Sequence, residues 1–195
     1  MSNFIKELIK HFHPDNLKTG DSDKFITLME QIDNKDLKFS YNLSLKEVIY
    51  GKTLVIGDEE FIINSFEPIT KKSGYNCYVS KDGTKFSVRL DFDKKDEEQK
   101  LELKPINGVW SLVKNIEING FDAIFGNREV TFKIYDNEYT YEVEPFSMIK
   151  NNDYRLLNDK LNNMRIYIKF SVEYFTEDRD FIKRMREIRN GDGCF

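Results

Sequence analysis

Residues 47–51, Glu-Val-Ile-Tyr-Gly, recur further along the chain as residues 122–126, Asp-Ala-Ile-Phe-Gly. Both copies read acid, apolar, Ile, aromatic, Gly, and each leads into a segment of strand-like composition. Each then reaches a turn, a second strand-like segment and a proline, and ends in a long alternating stretch, residues 85–92 in the first copy and 165–172 in the second. Repetition on this scale indicates a duplicated supersecondary unit. The sequence therefore predicts two similar β subdomains in tandem.

The strand-like segments alternate apolar and polar side chains with a period of two. This alternation is typical of antiparallel strands that face the core on one side and water on the other. In the second closing stretch the apolar positions are Ile166, Ile168, Phe170 and Val172. Turn-forming pairs at residues 57–58, 82–83 and 136–137 separate the strands. We place the junction of the two subdomains at residues 105–108, Pro-Ile-Asn-Gly.

Helical periodicity appears at both ends of the chain. Residues 3–12 carry one apolar stripe, and Pro14 ends that helix because the residue before a proline is disfavoured in the α conformation. A second stripe follows Ser22, which we predict to be an N-cap, and a third follows Thr176. The apolar positions of the third stripe are Phe181, Ile182, Met185 and Ile188.

The predicted fold class is mainly β with helical ends. We expect an N-terminal helical hairpin over residues 1–35 and a first β-sandwich-like subdomain over residues 36–106. A second such subdomain is expected over residues 107–175, and a C-terminal helix over residues 176–195.

Composition restricts the classes of partner. The net charge is −4, so the sequence does not predict a basic surface for nucleic acid. No apolar run reaches the length of a membrane span. The two cysteines, Cys77 and Cys194, form no Cys-x-x-Cys pair, and a reducing compartment is the default for so few. We therefore expect a cytoplasmic protein with no metal, cofactor, nucleic-acid or membrane partner.

The two N-terminal helices are joined by a loop that begins His13-Pro14-Asp15. A histidine at this position can serve simply as a C-terminal cap that interacts with the helix dipole. A metal site that includes His11 is disfavoured, because two residues spaced by two do not share a helix face. A hydrolase that uses His13 and Asp15 is the weakest alternative, since the sequence marks no nucleophile beside them.

The hairpin resembles part of a J-domain. Residues 8–15, Leu-Ile-Lys-His-Phe-His-Pro-Asp, resemble the end of its second helix and the His-Pro-Asp loop, and residues 25–32 resemble its third helix. The chain begins almost at that second helix, so the J-like part would be truncated and lack the first helix. Residues 45–51 and 107–126 resemble the openings of the two client-binding β domains of DnaJ-type co-chaperones, in the class that lacks the cysteine-rich zinc insertion.

The resemblance implies a co-chaperone with no catalytic chemistry of its own. It would bind unfolded or partly assembled client protein and stimulate a DnaK-type heat-shock ATPase. By the same resemblance, His13, Pro14 and Asp15 would dock that ATPase. Lys6 and Lys10, one turn apart on the polar helix face, would attract an acidic partner.

The resemblance also implies a client groove in the first β subdomain, and position along the chain suggests Ile56, Phe61 and Ile63 for it. The third helical stripe would pair two protomers of a homodimer, although the same stripe would also fit packing on its own domain. An alternative is a client-binding or assembly scaffold, for example of a virus in its host cytoplasm, whose J-like hairpin engages no ATPase.

Overall fold

The computed structural model describes residues 1–70, 74–125, 128–143, 145, 154–173 and 183. The chain forms two compact units, Met1–Asp93 (unit 1) and Lys94–Phe195 (unit 2). The structure is mainly β with helices at the N-terminus, which confirms the predicted fold class. The predicted C-terminal helix, with Phe181, Ile182, Met185 and Ile188, lies outside the described residues, so its role in a homodimer stays a prediction.

Unit 1 begins with two helices and continues into strands. Its elements are α1 (Asn3–Phe12), α2 (Ser22–Asp33), β1 (Lys38–Leu43), α3 (Leu45–Tyr50), β2 (Lys52–Ile56), β3 (Glu59–Ile63), α4 (Glu67–Thr70), β4 (Tyr75–Val79) and β5 (Lys85–Phe92). One sheet has the strand order β1-β5-β4, and β2 pairs with β3 as a separate hairpin. The N-cap of α2 is Asp21, one residue before the Ser22 that the sequence suggested.

Unit 2 repeats this pattern and adds two strands in front of it. Its elements are β6 (Lys95–Asp96), β7 (Leu101–Ile106), β8 (Val109–Asn119), α5 (Gly120–Phe125), β9 (Arg128–Ile134), β10 (Asn137–Val143), β11 (Arg155–Leu161) and β12 (Met164–Glu173). The main sheet has the order β11-β12-β8-β7-β6, and β9 pairs with β10 as a hairpin.

The predicted duplication is visible in the topology. Strand, short helix, hairpin, strand and strand follow one another as β1-α3-β2-β3-β4-β5 in unit 1, where α4 lies between β3 and β4, and as β8-α5-β9-β10-β11-β12 in unit 2. The closing strand of each copy pairs with the opening strand in parallel, β5 with β1 and β12 with β8. The predicted antiparallel pairing is confirmed for β5 with β4 and for β12 with β11. It is wrong for the pairs with the opening strands, because the intervening helix, hairpin and strand form a crossover long enough to return the chain in the same direction.

The repeated motif has a physical role in the turn that it forms. Ser44 and Glu47 close a capping box at the start of α3. Gly51 follows the helix with φ +84, and a Cβ there would lie 2.6 Å from the backbone oxygen of Ile63. Only glycine fits a position with this backbone and this close neighbour. The acid and the glycine of the motif thus begin and end a short helix.

The N-terminal hairpin belongs to the core of unit 1. Phe4, Leu8 and Leu28 are buried in one cluster with residues of the β region. The β residues of this cluster are Leu37, Ile56, Phe86 and Val88. The hairpin over residues 1–35 is therefore not a separate body, which differs from the predicted organisation.

The border between the units also differs from the predicted one. It lies between Asp93 and Lys94, whereas Asn107 and Gly108 form the tight turn between β7 and β8. Both turn residues have positive φ, 51 and 77, which Asn-Gly tolerates well. The same residues that suggested a junction in the sequence thus connect two paired strands inside unit 2.

Candidate functional site

The loop that begins with His13 closes the end of α1 through side chains that follow the tripeptide. Asn16 Nδ2 donates to the carbonyl oxygen of Lys10 at 3.1 Å, and Thr19 Oγ1 donates to that of His11 at 2.7 Å. The carbonyl oxygens at the C-terminus of a helix lack partners within the helix. Asn16 and Thr19 therefore hold the loop against α1. Sequence reasoning missed both, although Asn, Thr and Gly after a helix are turn-forming signals.

Gly20 keeps this loop compact. A Cβ at this position would lie 2.3 Å from the carbonyl oxygen of His13 and 2.6 Å from that of Asn16. The Gly20 amide donates to the Asn16 carbonyl at 2.8 Å, and the Asp21 amide returns the chain to the Phe12 carbonyl at 3.2 Å. These hydrogen bonds close the loop, and its conformation requires glycine at position 20.

The tripeptide lies on the outside of this loop. His13 is the C-cap of α1, as its backbone N–H donates to Ile9, and its Nδ1 accepts from the Asp15 amide at 3.2 Å. The imidazole lies edge-on to the ring of Phe25, with centroids 5.1 Å apart. The Asp15 side chain is 92% exposed. The loop thus presents a carboxylate to solvent beside a histidine that is held by Phe25.

Lys6 and Lys10, which were predicted to attract an acidic partner, are exposed on α1. Lys10 forms an ion pair with Glu7, Nζ to Oε1 at 2.5 Å, which reduces its attraction for an acidic partner. Among the described residues, no group of three or more His, Cys, Asp or Glu side chains is placed to hold a metal ion. In the same part of the chain, no helix is long and apolar enough to cross a membrane.

A groove of about 570 Å³ lies between α2 and β1, and we call it the α2–β1 groove. Its apolar lining consists of Phe12, Leu28, Phe39, Tyr41 and Val55. Partial burial raises the pKa of Tyr41. The volume and the apolar lining are in the range of sites that bind ligand side chains.

The rim of the α2–β1 groove is polar. Lys24 and Lys38 lie on it, and each is paired with an aspartate, Asp21 and Asp36 respectively. Hydrogen bonds from Lys24, first from its backbone amide and then from its side chain, lower the pKa of Asp21. Two ion pairs therefore lie at the rim, and the apolar floor is the distinctive feature of the groove.

The outer face of the β2–β3 hairpin carries two exposed apolar residues, which alternate with the polar residues Thr53 and Glu60. Val55, which also lines the groove, is 62% exposed, and Ile62 on the neighbouring strand is 71% exposed. The corresponding face of the β9–β10 hairpin in unit 2 is polar. Its exposed residues are Glu129, Thr131, Lys133, Glu138, Thr140 and Glu142. The exposed faces of the two hairpins therefore differ in polarity.

The residues predicted to contact a client lie in the core. Ile56 and Ile63 are buried, and the ring of Phe61 packs edge-on to Phe86 with centroids 5.0 Å apart. Strand residues alternate between faces, so a shift of one position exchanges the buried and the exposed set. The exposed apolar residues of this hairpin are Val55 and Ile62. Ile56 and Ile63 are thus not accessible to a ligand, and a client groove in this subdomain stays a prediction.

Neither a scan against protein-family models nor a search of curated proteins found a match to this chain. The resemblance to J-domain proteins therefore rests on residues 8–15, 25–32, 45–51 and 107–126 alone.

Proposed function

We propose that this protein holds non-native polypeptide on unit 1 and presents it to a DnaK-type heat-shock ATPase of the cytoplasm. The observation that carries the proposal is the apolar surface of unit 1, formed by the α2–β1 groove and the outer face of the β2–β3 hairpin. Exposed apolar side chains beside a groove with an apolar lining are typical of an interaction site.

The repeat itself provides the comparison that supports this role. Unit 2 contains the corresponding strand order, and its hairpin carries polar residues on the corresponding exposed face. Val55 and Ile62 are therefore not required by the fold. Unfolded polypeptide is a fitting ligand because it exposes the apolar side chains that a groove of this size would receive.

The binding half of the proposal is tested with a fluorescently labelled, permanently unfolded protein and anisotropy titrations. The double variant Val55→Asp/Ile62→Asp places charges on the outer face, so we expect binding about tenfold weaker or more. The matched control is Lys133→Asp/Thr140→Asp, at the corresponding register positions of the hairpin of unit 2, which should bind like the wild type. Equal binding by all three proteins would contradict the assignment of the surface.

The ATPase half depends on the exposed loop. The Asp15 carboxylate, whose Oδ2 lies 3.5 Å from His13 Nδ1, is exposed enough to meet an arginine of a partner, and charge-assisted pairs of this kind are strong and directional. We expect this protein to raise the steady-state ATPase rate of a DnaK-type chaperone and His13→Gln to abolish the increase. Equal stimulation by wild type and variant would refute a role for the loop.

A second candidate is a client-binding scaffold that engages no ATPase. The observation in its favour is the burial of Phe4 and Leu8 in unit 1, which makes the hairpin a structural part of the β subdomain. This candidate predicts normal binding of unfolded protein and no stimulation of the ATPase by the wild type. The same two assays therefore separate the two candidates.

A further inference from the structure

One face of the main sheet of unit 2 carries a row of cationic side chains. Leu112 of β8 and Ile166 of β12 are buried on the core side of this sheet. The residues that alternate with them form the opposite side, which we call the outer face of the unit 2 sheet. On this face Lys104 of β7, Arg165 of β12 and Lys160 of β11 lie in one row across the sheet, with one β8 residue between the first two.

Three cations of this face have no ion pair. Two of its glutamates, Glu102 and Glu117, are already paired with neighbouring lysines, at 3.0 and 2.8 Å between carboxylate oxygen and Nζ. In the part of the chain that the structure describes, no ion pair involves Lys160, Arg165 or Lys169. The positive charge of these three residues is therefore available to an external anion.

The pairing of Lys160 with Arg165 is unfavourable for the isolated sheet. The two residues lie directly opposite each other on β11 and β12, and both are exposed. Like charges at directly opposite positions destabilise a sheet. An anion that bridges the two cations would remove this repulsion.

An aromatic ring lies between two of the cations. The outer-face residues of β12 include Arg165, Tyr167 and Lys169 in succession, about 6.6 Å apart along the strand. The ring of Tyr167 lies edge-on to that of Tyr154, with centroids 6.4 Å apart, and such a pair leaves ring faces that the other ring does not cover. Leu156, opposite Tyr167 on β11, is 52% exposed. Cation, ring and cation thus alternate along one partly exposed strand.

The first repeat carries a different set of residues at the same positions. The strand registers place Lys85, Ser87 and Arg89 of β5 at the positions of this cation–ring–cation series. Ser87 has no ring, and Arg89 is paired with Asp91, Nε to Oδ2 at 2.8 Å. The shared topology therefore does not require unpaired cations beside an aromatic ring.

We propose that the outer face of the unit 2 sheet binds single-stranded nucleic acid through Lys160, Arg165, Tyr167 and Lys169. Phosphate groups would pair with the three cations, and a base would stack on Tyr167. An acidic polypeptide could meet the cations, but its carboxylates offer no planar group to the ring. The net charge of −4, which predicted no nucleic-acid partner, is a sum over the chain and does not describe this face. The proposal does not rest on the proposed function, which uses residues of unit 1.

The probe is a fluorescein-labelled oligothymidylate of about twelve nucleotides, titrated with the full chain and followed by anisotropy. Arg165→Glu/Lys169→Glu reverses two charges of the face and should weaken binding about tenfold or more. The matched control is Lys85→Glu/Arg89→Glu, which changes the net charge equally at the corresponding positions of β5 and should bind within about twofold of the wild type. An equal loss in both variants would show that only net charge acts and would overturn the assignment of the face.

The salt dependence measures the number of phosphate contacts. Each cation that neutralises a phosphate of a single strand contributes about −0.7 to the slope of log K against log salt concentration, so three cations predict a slope of about −2. Lys160→Gln should make this slope shallower by about 0.7. A slope close to zero, or a slope that Lys160→Gln does not change, would contradict the proposed contacts.

Tyr167 distinguishes nucleic acid from acidic polypeptide. Tyr167→Ala should weaken oligothymidylate binding about fivefold or more, whereas Tyr167→Phe keeps the ring and should bind like the wild type. Circular dichroism identifies the temperature range in which both variants are folded. Competition by oligoglutamate of equal charge is measured on the wild type, so it needs no variant, and it should be much weaker than competition by unlabelled oligothymidylate. Equal competition by the two, or no binding of oligothymidylate in about 50 mM salt, would overturn the proposal.

Discussion

The ring of Phe4 on α1 stacks on the ring of Phe86 on β5, with centroids 5.2 Å apart and planes inclined by 27°. Both side chains are almost completely buried. Phe86 also contacts the rings of Phe39, Phe61 and Tyr78, so Phe4 completes an aromatic cluster whose other members belong to the strands. The stability of unit 1 therefore depends on a helix that precedes its first strand.

Truncation of Phe4 measures this dependence. Phe4→Ala removes a buried ring from a closely packed cluster, and we expect a loss of about 3–5 kcal/mol in the free energy of unfolding. Urea denaturation followed by circular dichroism gives this value. Leu17→Ala is the control, since Leu17 is fully exposed in the loop, and should change stability by less than about 0.5 kcal/mol. A loss below about 1 kcal/mol for Phe4→Ala would contradict the role of α1 in the core.

The start of α1 is fixed by Asp82 in the turn between β4 and β5. Its carboxylate accepts from the Ser80 hydroxyl at 2.7 Å, from the Phe4 amide at 3.0 Å and from the Thr84 hydroxyl at 2.7 Å. These hydrogen bonds, led by that of Ser80, hold the pKa of Asp82 well below its usual value. A lowered pKa means that the folded state favours the ionised form.

The sign of the resulting pH dependence follows from this shift. The contribution of Asp82 is fully present above the ordinary pKa of an aspartate and is lost as the pH falls below it toward the lowered value. We expect the Phe4 amide to exchange faster in Asp82→Asn than in the wild type at neutral pH. The difference should shrink in strong acid, where the wild-type carboxylate becomes protonated. Asp58→Asn in the exposed turn between β2 and β3 is the control, and equal exchange in both variants would refute the tether.

Two adjacent glutamates illustrate where sequence reasoning stops. Glu59 and Glu60 are indistinguishable in the sequence, yet Glu59 is buried and accepts from the Lys81 amide with both carboxylate oxygens, at 3.0 and 2.9 Å. Glu59→Gln replaces one of the two accepting oxygens with an amide NH2 group, and this donor would face the N–H donor of Lys81. We expect Glu59→Gln to lower the free energy of unfolding by about 1–3 kcal/mol in a thermal denaturation experiment, whereas Glu60→Gln should leave it almost unchanged. A similar melting temperature for both variants would count against the buried interaction.

The repeat and the local turn chemistry could be predicted because they depend on neighbouring residues. Glu47 and Gly51 begin and end a helical turn through contacts within a few residues, and the two copies of the motif reveal the duplication directly. The amphipathic stripe of α1 likewise predicted the helix Asn3–Phe12. Such features are local, so periodicity and residue type are sufficient to find them.

The residues against which the stripe of α1 packs could not be predicted in the same way, nor could the face of β2 that is exposed to solvent. An apolar stripe shows that one face of a helix is buried, but it does not identify the residues that bury it. Phe4 packs against Phe86 of β5, about eighty positions further along the chain. Val55 and Ile56 are neighbours and lie on opposite faces of β2. Tertiary packing decides which of these faces is buried. The groove was missed because its walls come from α2, β1 and β2 together.

Gly20 offers the most direct test of the loop. Alanine at this position would place a Cβ against the carbonyl oxygens of His13 and Asn16, so the loop must open to admit it. We expect Gly20→Ala to lower the free energy of unfolding by about 0.5–3 kcal/mol and to shift the imidazole resonances of His13. If the closed loop presents Asp15 to an ATPase, the variant should also lose stimulation at a temperature at which it remains folded. Stimulation equal to that of the wild type, with a displaced His13 signal, would show that the ATPase does not require this loop shape.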